Sequence, residues 1–528
     1  MSLARTQSKV WVTHALNFLK SKVFNIHAPN LRKNKVWGIL ELEVKVFSPI
    51  YFSNTYEMGL SFTMQHTRYT TAQPAQCEQP AQSTQLKQRD LYLKQLIAFK
   101  DKEPVKVITG IRRCGKSSLL RLMQDYLLSI GVDESHIVAI NFESMEFQDM
   151  TYKDVYAYVK QRIAAAQKTT LHQARAHIGK MYLFFDELQR VDRWEDMVNS
   201  CRVDFDCDIY ITGSNAYLLS SEYATYLAGR YVEIKMYPLS FREFIDFHGY
   251  ELVARESLIR GQHAYSISSN AGHLDLHDLF EAYMRFGGMP AISEMYFEQR
   301  NIMTLLDGIY ATVVLRDILE REKKRGQRQI TDAELLRRII LFLSDNVGNT
   351  TSLNTICNTL SAEKLLLSAR AGKPSNQTIA AYIGALKESY LFYEVKRFDI
   401  KGRDYLRTLG KYYIVDVGLR NYLLGFRDRD RGHILENVVF LELLRRGYDV
   451  AVGKINSLEV DFIAQNASEK LYIQVSETMR GDEHRARELR PLECVQDNYE
   501  KLVITLDKAL DDDYNGIRVV HIIDWLLS

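Results

Sequence analysis

From Lys87 onward the chain alternates between two kinds of hydrophobic pattern. Short β-rich apolar runs, VKVIT, HIVAINF, MYLFFD, CDIYITG and YVEIKMY, are separated by stretches with helical spacing such as SSLLRLMQDYLLSIG. Strands alternating with helices predict a parallel, doubly wound sheet flanked by helices, ending near residue 250. The chain beyond residue 250 is mainly helical in its spacing, with polar breaks at QHAYSISSNAGH and KKRGQRQ and a rigid turn at FGGMP, set by Gly287, Gly288 and Pro290. The spacing of AELLRRIILFLSDNV, SLNTICNTLSAEK and SNQTIAAYIGALKESYLFYEVKRFD predicts three helices and a β-hairpin. In the third helix Ile379, Tyr382, Ile383, Leu386 and Tyr390 form a buried stripe, leaving Lys373, Asn376, Gln377 and Lys387 to face outward. The C-terminal region returns to mixed patterning: a helix in ILENVVFLELLRRGYDV, then strands VAVGKI, EVDFIAQ and KLYIQVS.

At 528 residues the chain is too long for one core. The stretch TAQPAQCEQPAQSTQ, Thr71 to Gln85, is a Gln/Pro/Ala linker with nothing to build a core from. It sets apart a first segment with one expected strand, GILELEVKVF, which is either a small appendage or an overextended start whose true initiator is Met64. Hydrophobic residues at 46% and charged residues at 25% exclude a disordered chain. A net charge of +2 gives no bulk attraction to nucleic acid, so any basic surface has to be local. The six cysteines have no CxxC spacing and are expected to be reduced thiols in a cytoplasmic protein, with no zinc site. No apolar run is long enough to span a bilayer, and no membrane partner is expected.

The chemistry concentrates in VKVITGIRRCGKSSLLRLM. Gly110, Gly115, Lys116 and Ser117 fit GxxxxGK(S/T) between a strand and a helix, the context a phosphate-binding loop requires. Ile111, Arg112, Arg113 and Cys114 fill the loop and Ser118 comes directly after it. The glycines let backbone N–H groups turn toward a polyphosphate, and the helix N-terminus adds positive potential. Lys116 is expected at the β and γ phosphates of ATP and Ser117 on Mg2+. Asp186, ending the MYLFFD strand, is the expected carboxylate for the metal, and Glu187 the group that polarises the attacking water. Ser214 and Asn215 end the next strand, either as reporters of the γ-phosphate or as a helix cap. Arg230 is either an arginine that stabilises transition-state charge, in cis or from a neighbouring subunit, or a structural one.

GIRRCGKSSLL, LFFDELQRV, ITGSNAYLLSSEYATYLAGRYVEIKMYPLSFREF and YMRFGGMPAI together resemble the prokaryotic AAA-type ATPases with a C-terminal domain of uncharacterised function. The likeness runs from about Lys87 to the end. It implies an α/β P-loop NTPase core with a strand inserted between the P-loop and Asp186 strands. A helical lid, a winged-helix region and a restriction-endonuclease-like domain would come after it. The expected boundaries are 1–86 for the extension and linker, 87–250 for the ATPase core, 251–330 for the lid, 331–425 for the winged-helix-like domain and 426–528 for the C-terminal domain. The hairpin would serve as a wing, offering Lys396, Arg397, Lys401, Arg403 and Arg407 to DNA phosphates, unless that region faces a protein partner.

The α-β-β-β order carrying Glu436 and Asp461 resembles a PD-(D/E)XK nuclease core. An active member would have a glutamate at position 474 and a lysine at position 476; here Gln474 and Ser476 stand there, while Lys470 lies at the strand's far end. An amide is a weak ligand for a hard cation and a serine supplies no charge, so a degenerate domain is expected. The expected function is an ATPase that couples Mg-dependent hydrolysis to switching of C-terminal DNA- or protein-binding domains, acting either as a homo-oligomeric ring or as a monomer. The alternatives are a nucleotide-gated DNA-binding regulatory or defence module with negligible turnover, and an ATP-dependent nuclease.

Overall fold

Five apolar runs meet in one parallel sheet. The computed structural model describes residues 86–528 apart from 173–178, 215–228, 257–262, 269–273, 321–329, 331, 363–373, 403 and 509–512, all within the unit Ser83–Ser528. GILELEVKVF, Met64 and the linker lie outside the described residues. Helix α1 (Asp90–Ala98) leads into β1 (Val105–Thr109), α2 (Lys116–Ser129), β2 (Ile137–Asn141), α3 (Tyr152–His172), β3 (Met181–Asp186), α4 (Trp194–Asp204), β4 (Cys207–Gly213) and β5 (Tyr231–Lys235). The strand order is β2-β3-β4-β1-β5, every pairing parallel, with β4 between β1 and β3. Every residue of β1 and β3 is buried because helices cover both faces. Alternation sends Ile108 into the core that holds Leu119 and Met123 of α2, and Val107 into the core that holds Val155 and Val159 of α3 and Met197 of α4.

After α5 (Phe241–Phe247), whose start is closed by a reciprocal Ser240–Glu243 capping box, the expected helical region opens differently. Residues 251–256 and 263–268 form an antiparallel hairpin, β6 (Glu251–Glu256) and β7 (His263–Ser268). The polar letters of QHAYSISSNAGH conceal a two-residue alternation in which Tyr265 and Ile267 pack on the core. The helices then run α6 (Leu276–Phe286), α7 (Gln299–Ala311), α8 (Ala333–Asp345), α9 (Leu353–Ala362) and α10 (Asn376–Glu388).

The hairpin expected as a wing is β8 (Phe392–Asp399) and β9 (Asp404–Ile414), and it does not project. After α11 (Val417–Leu424) and α12 (Arg431–Arg445) come β10 (Asp449–Ile455), β11 (Leu458–Gln465), β12 (Lys470–Ser476), α13 (Asp482–Glu493), β13 (Glu500–Thr505), β14 (Asp513–Tyr514), β15 (Ile517–His521) and α14 (Ile522–Leu527). They form one eight-stranded sheet in the order β14-β15-β13-β12-β11-β10-β8-β9. Because β8 pairs in parallel with β10, the sheet crosses the boundary expected at residue 425. Register shifts at Ala451/Gly453 in β10 and Lys396/Phe398 in β8 bend this end of the sheet. Arg403 lies outside the described residues. Among the described residues no helix is long and apolar enough to cross a membrane.

The Gly287–Gly288 turn joins the two parts through backbone groups. Leu239 N–H donates to Gly288 O at 2.6 Å, and Gly288 N–H donates to the Asp416 carboxylate at 2.7 Å. A Cβ on Gly287 would meet that carboxylate at 2.2 Å, and one on Gly288 would meet Leu239 O at 2.5 Å, so this approach requires glycines. Asp416 also caps α11 by accepting from Leu419 N–H at 3.1 Å.

Burial raises the Asp416 carboxyl to about 6, desolvation outweighing its backbone hydrogen bonds. A carboxyl raised in the folded state stabilises the fold fully below the ordinary carboxylate range, and this contribution is lost as pH rises through about 6. Melting temperatures measured across that interval should therefore fall more for the wild type than for Asp416→Asn, which does not titrate.

Candidate functional site

The C-terminal ends of β1, β3 and β4 converge on the start of α2, where open α/β sheets place their ligand sites. Leaving β1, the chain turns through Gly110 (φ 145°), Arg113 (φ 65°) and Gly115 (φ 103°) before α2 begins at Lys116. Gly110 is dictated by packing, since a Cβ there would sit 2.1 Å from Met236 O. Arg89 supports the loop from behind. Its guanidinium donates to Cys114 O and Tyr237 O, both at 3.0 Å, and pairs with Glu243 at 2.6 Å. Ile111 and Cys114 are buried beneath the loop, Arg112 pairs with Glu143 at 3.2 Å, and Arg113 and Ser117 are exposed; Ser118 is half-buried.

The buried Lys116 ammonium curls back on the loop, donating to Gly110 O at 2.9 Å and Ile111 O at 3.0 Å. These acceptors are neutral carbonyls, so the charge itself is uncompensated by them. Asp186 at the end of β3 accepts from the Thr212 and Ser117 hydroxyls and from Asn141 Nδ2, the last at 3.2 Å. Burial raises its pKa, opposed by the Thr212 and Ser117 hydrogen bonds. Thr212 also accepts from Glu187 N–H at 2.9 Å, so one β4 hydroxyl fixes both acidic residues. The Glu187 carboxylate accepts from Ser214 Oγ at 3.2 Å and Gln189 Nε2 at 2.5 Å. Gln189 Oε1 is buried with no partner among the described residues, leaving an acceptor beside Glu187.

The structure thus brings together Gly110, Gly115, Lys116, Ser117, Asp186, Glu187 and Ser214. Asn215 lies outside the described residues. Arg230 is exposed at the other end of the sheet: its carbonyl accepts from Val105 N–H at the start of β1, about 16 Å of strand away from Thr109. It is therefore not delivered to the loop in cis. Arg89, Asn141, Thr212 and Gln189 were not anticipated; Thr212 had a visible signal as a hydroxyl ending an otherwise apolar run.

A loop of this shape, with an ammonium, a serine and a buried carboxylate beside it, fits a nucleotide polyphosphate with a divalent metal on Ser117 and Asp186.

A second cluster lies in the C-terminal sheet. The predicted helix and three strands are α12, β10, β11 and β12, and they bring Glu436 and Asp461 together. At their centre is a residue not anticipated, Lys411 of β9. Its ammonium lies 2.7 Å from Glu436, 2.9 Å from Glu459 and 3.5 Å from Asp461. Tyr413 Oη donates to Glu436 at 2.6 Å and Val475 N–H to Asp461 at 2.9 Å. Gln474 accepts from Asp461 N–H at 3.4 Å, and Ser476 donates to Thr478 O at 2.8 Å. Lys470 stacks over the Tyr472 ring, 4.8 Å from its centroid, at the far end of β12.

The family described as "AAA domain" matches residues 102–245, which include the loop, Asp186 and Glu187, and a domain of unknown function matches residues 277–430. An uncharacterized protein of Haemophilus influenzae is 40% identical over 441 residues, covering 83% of this chain and 98% of that protein. One from Methanocaldococcus jannaschii is 29% identical over 441 residues, covering 80% and 88%. Among solved structures, a Walker-type ATPase of Pyrococcus abyssi is similar at 17% identity and a TM-score of 0.41, over 64% of this chain and 95% of that one.

Gly110→Ala should weaken nucleotide binding, because its Cβ cannot coexist with Met236 O unless the loop shifts. Titration with a fluorescent ATP analogue should show affinity weaker by at least about tenfold, with the helical circular dichroism retained.

Proposed function

This chain belongs to the family of its Haemophilus influenzae relative and carries an AAA domain over residues 102–245, and we propose that it is a magnesium-dependent ATPase whose turnover switches its helical and C-terminal parts. The observation that supports this most is the meeting of Lys116, Ser117, Asp186 and Glu187 at the ends of β1 and β3. Lys116 would exchange its two carbonyl acceptors for the β and γ phosphate oxygens of ATP, while the loop N–H groups receive the remaining oxygens. Ser117 and Asp186 would hold magnesium, which when bound supplies charge neutralisation at the phosphate oxygens. Glu187, steadied by Ser214 and Gln189, would orient a water and take up its proton.

The route to the C-terminal parts is the segment 236–239. Met236 O backs Gly110, and Arg445 of α12 donates to Pro238 O at 3.1 Å and Leu239 O at 3.2 Å. In this reading the C-terminal sheet is a non-cleaving surface for DNA or a protein, since Gln474 and Ser476 supply neither metal ligand nor cation. Arg230 would act only in a neighbour's site.

Phosphate release measured with and without magnesium should fall by roughly 10²-fold or more in both Lys116→Ala and Glu187→Gln. Equal turnover in Lys116→Ala and wild type would overturn the ATPase assignment. Light scattering with a nonhydrolysable ATP analogue tests assembly. If a ring forms, Arg230→Ala should keep nucleotide affinity and lose roughly 10³-fold in rate; with no assembly, Arg230→Ala should be silent.

A further inference from the structure

Three carboxylates gather around the Lys411 ammonium, more negative charge than one lysine balances. Glu459 and Asp461 are two apart on β11 and so share a face, Glu436 reaches them from α12, and the bent edge of the sheet brings β9 over them. An ammonium has three N–H donors, and three carboxylates stand around this one. Its side chain is only 3% exposed. Arg397 stands 4.0 Å from the other oxygen of Glu459, so among the described residues the Lys411 ammonium is the cation that Glu436 and Asp461 pair with.

Two buried carboxylates beside one positive charge leave an excess of negative charge in a medium that penalises it. The cluster shows the expected response: the Tyr413 hydroxyl and Val475 N–H both donate into it. Burial, with Glu436 adding to it, raises the Asp461 carboxyl to about 7. The Lys411 pKa is raised by Glu436, Asp461 and Glu459 against its own burial. The α8–α9 connection closes the site from the outside. A Cβ on Gly348 would lie 2.8 Å from Glu436 Oε2, and Thr350 Oγ1 donates to Glu459 at 3.1 Å. Among the described residues, no three His, Cys, Asp or Glu side chains are placed to hold a metal ion.

We propose that the Lys411 ammonium is a tethered substitute for a divalent cation: it occupies the convergence of Glu436, Glu459 and Asp461, keeps metal out, and makes the C-terminal sheet a structural rather than a metal-dependent unit. The inference does not depend on the ATPase reading. Its converse is that these carboxylates form a divalent-metal site once the ammonium is removed, because oxygen donors and net negative charge are what such ions require.

The test uses the full chain without nucleotide, titrated with Mn2+ and followed by the electron paramagnetic resonance of the free ion. The wild type should show no Mn2+ uptake that Asp461→Asn removes. Lys411→Ala should take up about one additional Mn2+ per chain, lost again in Lys411→Ala/Asp461→Asn, and saturating Mn2+ should raise its melting temperature by several degrees while leaving the wild type unmoved. Lys411→Met, which removes the charge but keeps most of the bulk, should melt below the wild type and gain less from Mn2+ than Lys411→Ala. Asp461-dependent Mn2+ uptake by the wild type would overturn the proposal. So would Mn2+-dependent DNA cleavage by the wild type that Asp461→Asn abolishes, since the site would then admit metal beside the lysine. A Lys411→Ala protein that gains no ion, or that stays unfolded at saturating Mn2+, overturns it equally.

Discussion

The fold turns on one backbone contact: the carbonyl of Met236 fills the space where Gly110 would otherwise carry a side chain. A phosphate loop must keep its N–H groups turned inward before any anion is there to reward them, so something behind the loop has to hold that shape. Here the support is the extended segment after β5. Met236 N–H donates to Thr109 O at 2.8 Å, and Arg89 ties Cys114 O to Tyr237 O. The next two residues of the same segment are held by Arg445, by Gly288 and by the Tyr283 hydroxyl, which donates to Leu239 O at 2.9 Å. Four consecutive residues thus brace the loop on one side and seat the helical and C-terminal parts on the other.

The two lysine-centred sites show how the acceptor decides what a buried ammonium is for. Lys116 is bonded to main-chain carbonyls, which can be exchanged for a stronger anionic acceptor at modest cost. Lys411 is bonded to the buried Glu436 carboxylate, which would lose its cation if the lysine moved, a change costing about 3–5 kcal/mol by analogy with broken buried pairs. The first arrangement leaves the ammonium free to change partners and the second does not. The same residue type thus marks a replaceable contact in one sheet and a permanent one in the other.

Much of this was legible in the sequence, and the reasons are physical. β1, β3 and β4 read as apolar runs because both of their faces are covered, and the loop could be read because its glycines and Lys116 are fixed by local geometry. What stayed hidden was non-local. Arg89 lies 154 residues from Glu243, and no spacing rule pairs them. Asn141 and Thr212 are assigned to Asp186 only by the strand order. The β8–β9 hairpin was legible as a hairpin, but nothing in its letters says that the free edge of β8 accepts β10. That one missed pairing explains both the expected wing and the failure to notice Lys411, whose alternation with Tyr413 points inward only if β9 belongs to the large sheet. The β6–β7 hairpin was missed because its strands are mostly polar on the outer face, so their alternation is hidden in polar letters.

The parallel pairing of β8 with β10 also decides where this protein can be divided. A cut at residue 425 would strip β10 of its neighbour and leave unpaired N–H and C=O groups along both raw margins, an invitation to association between chains. The smallest heritable piece that keeps the sheet intact therefore begins before Phe392, inside what reads as the preceding helical region. Exchange of C-terminal parts between relatives, by recombination or by protein engineering, should tolerate junctions ahead of that hairpin and reject those that fall between it and Asp449.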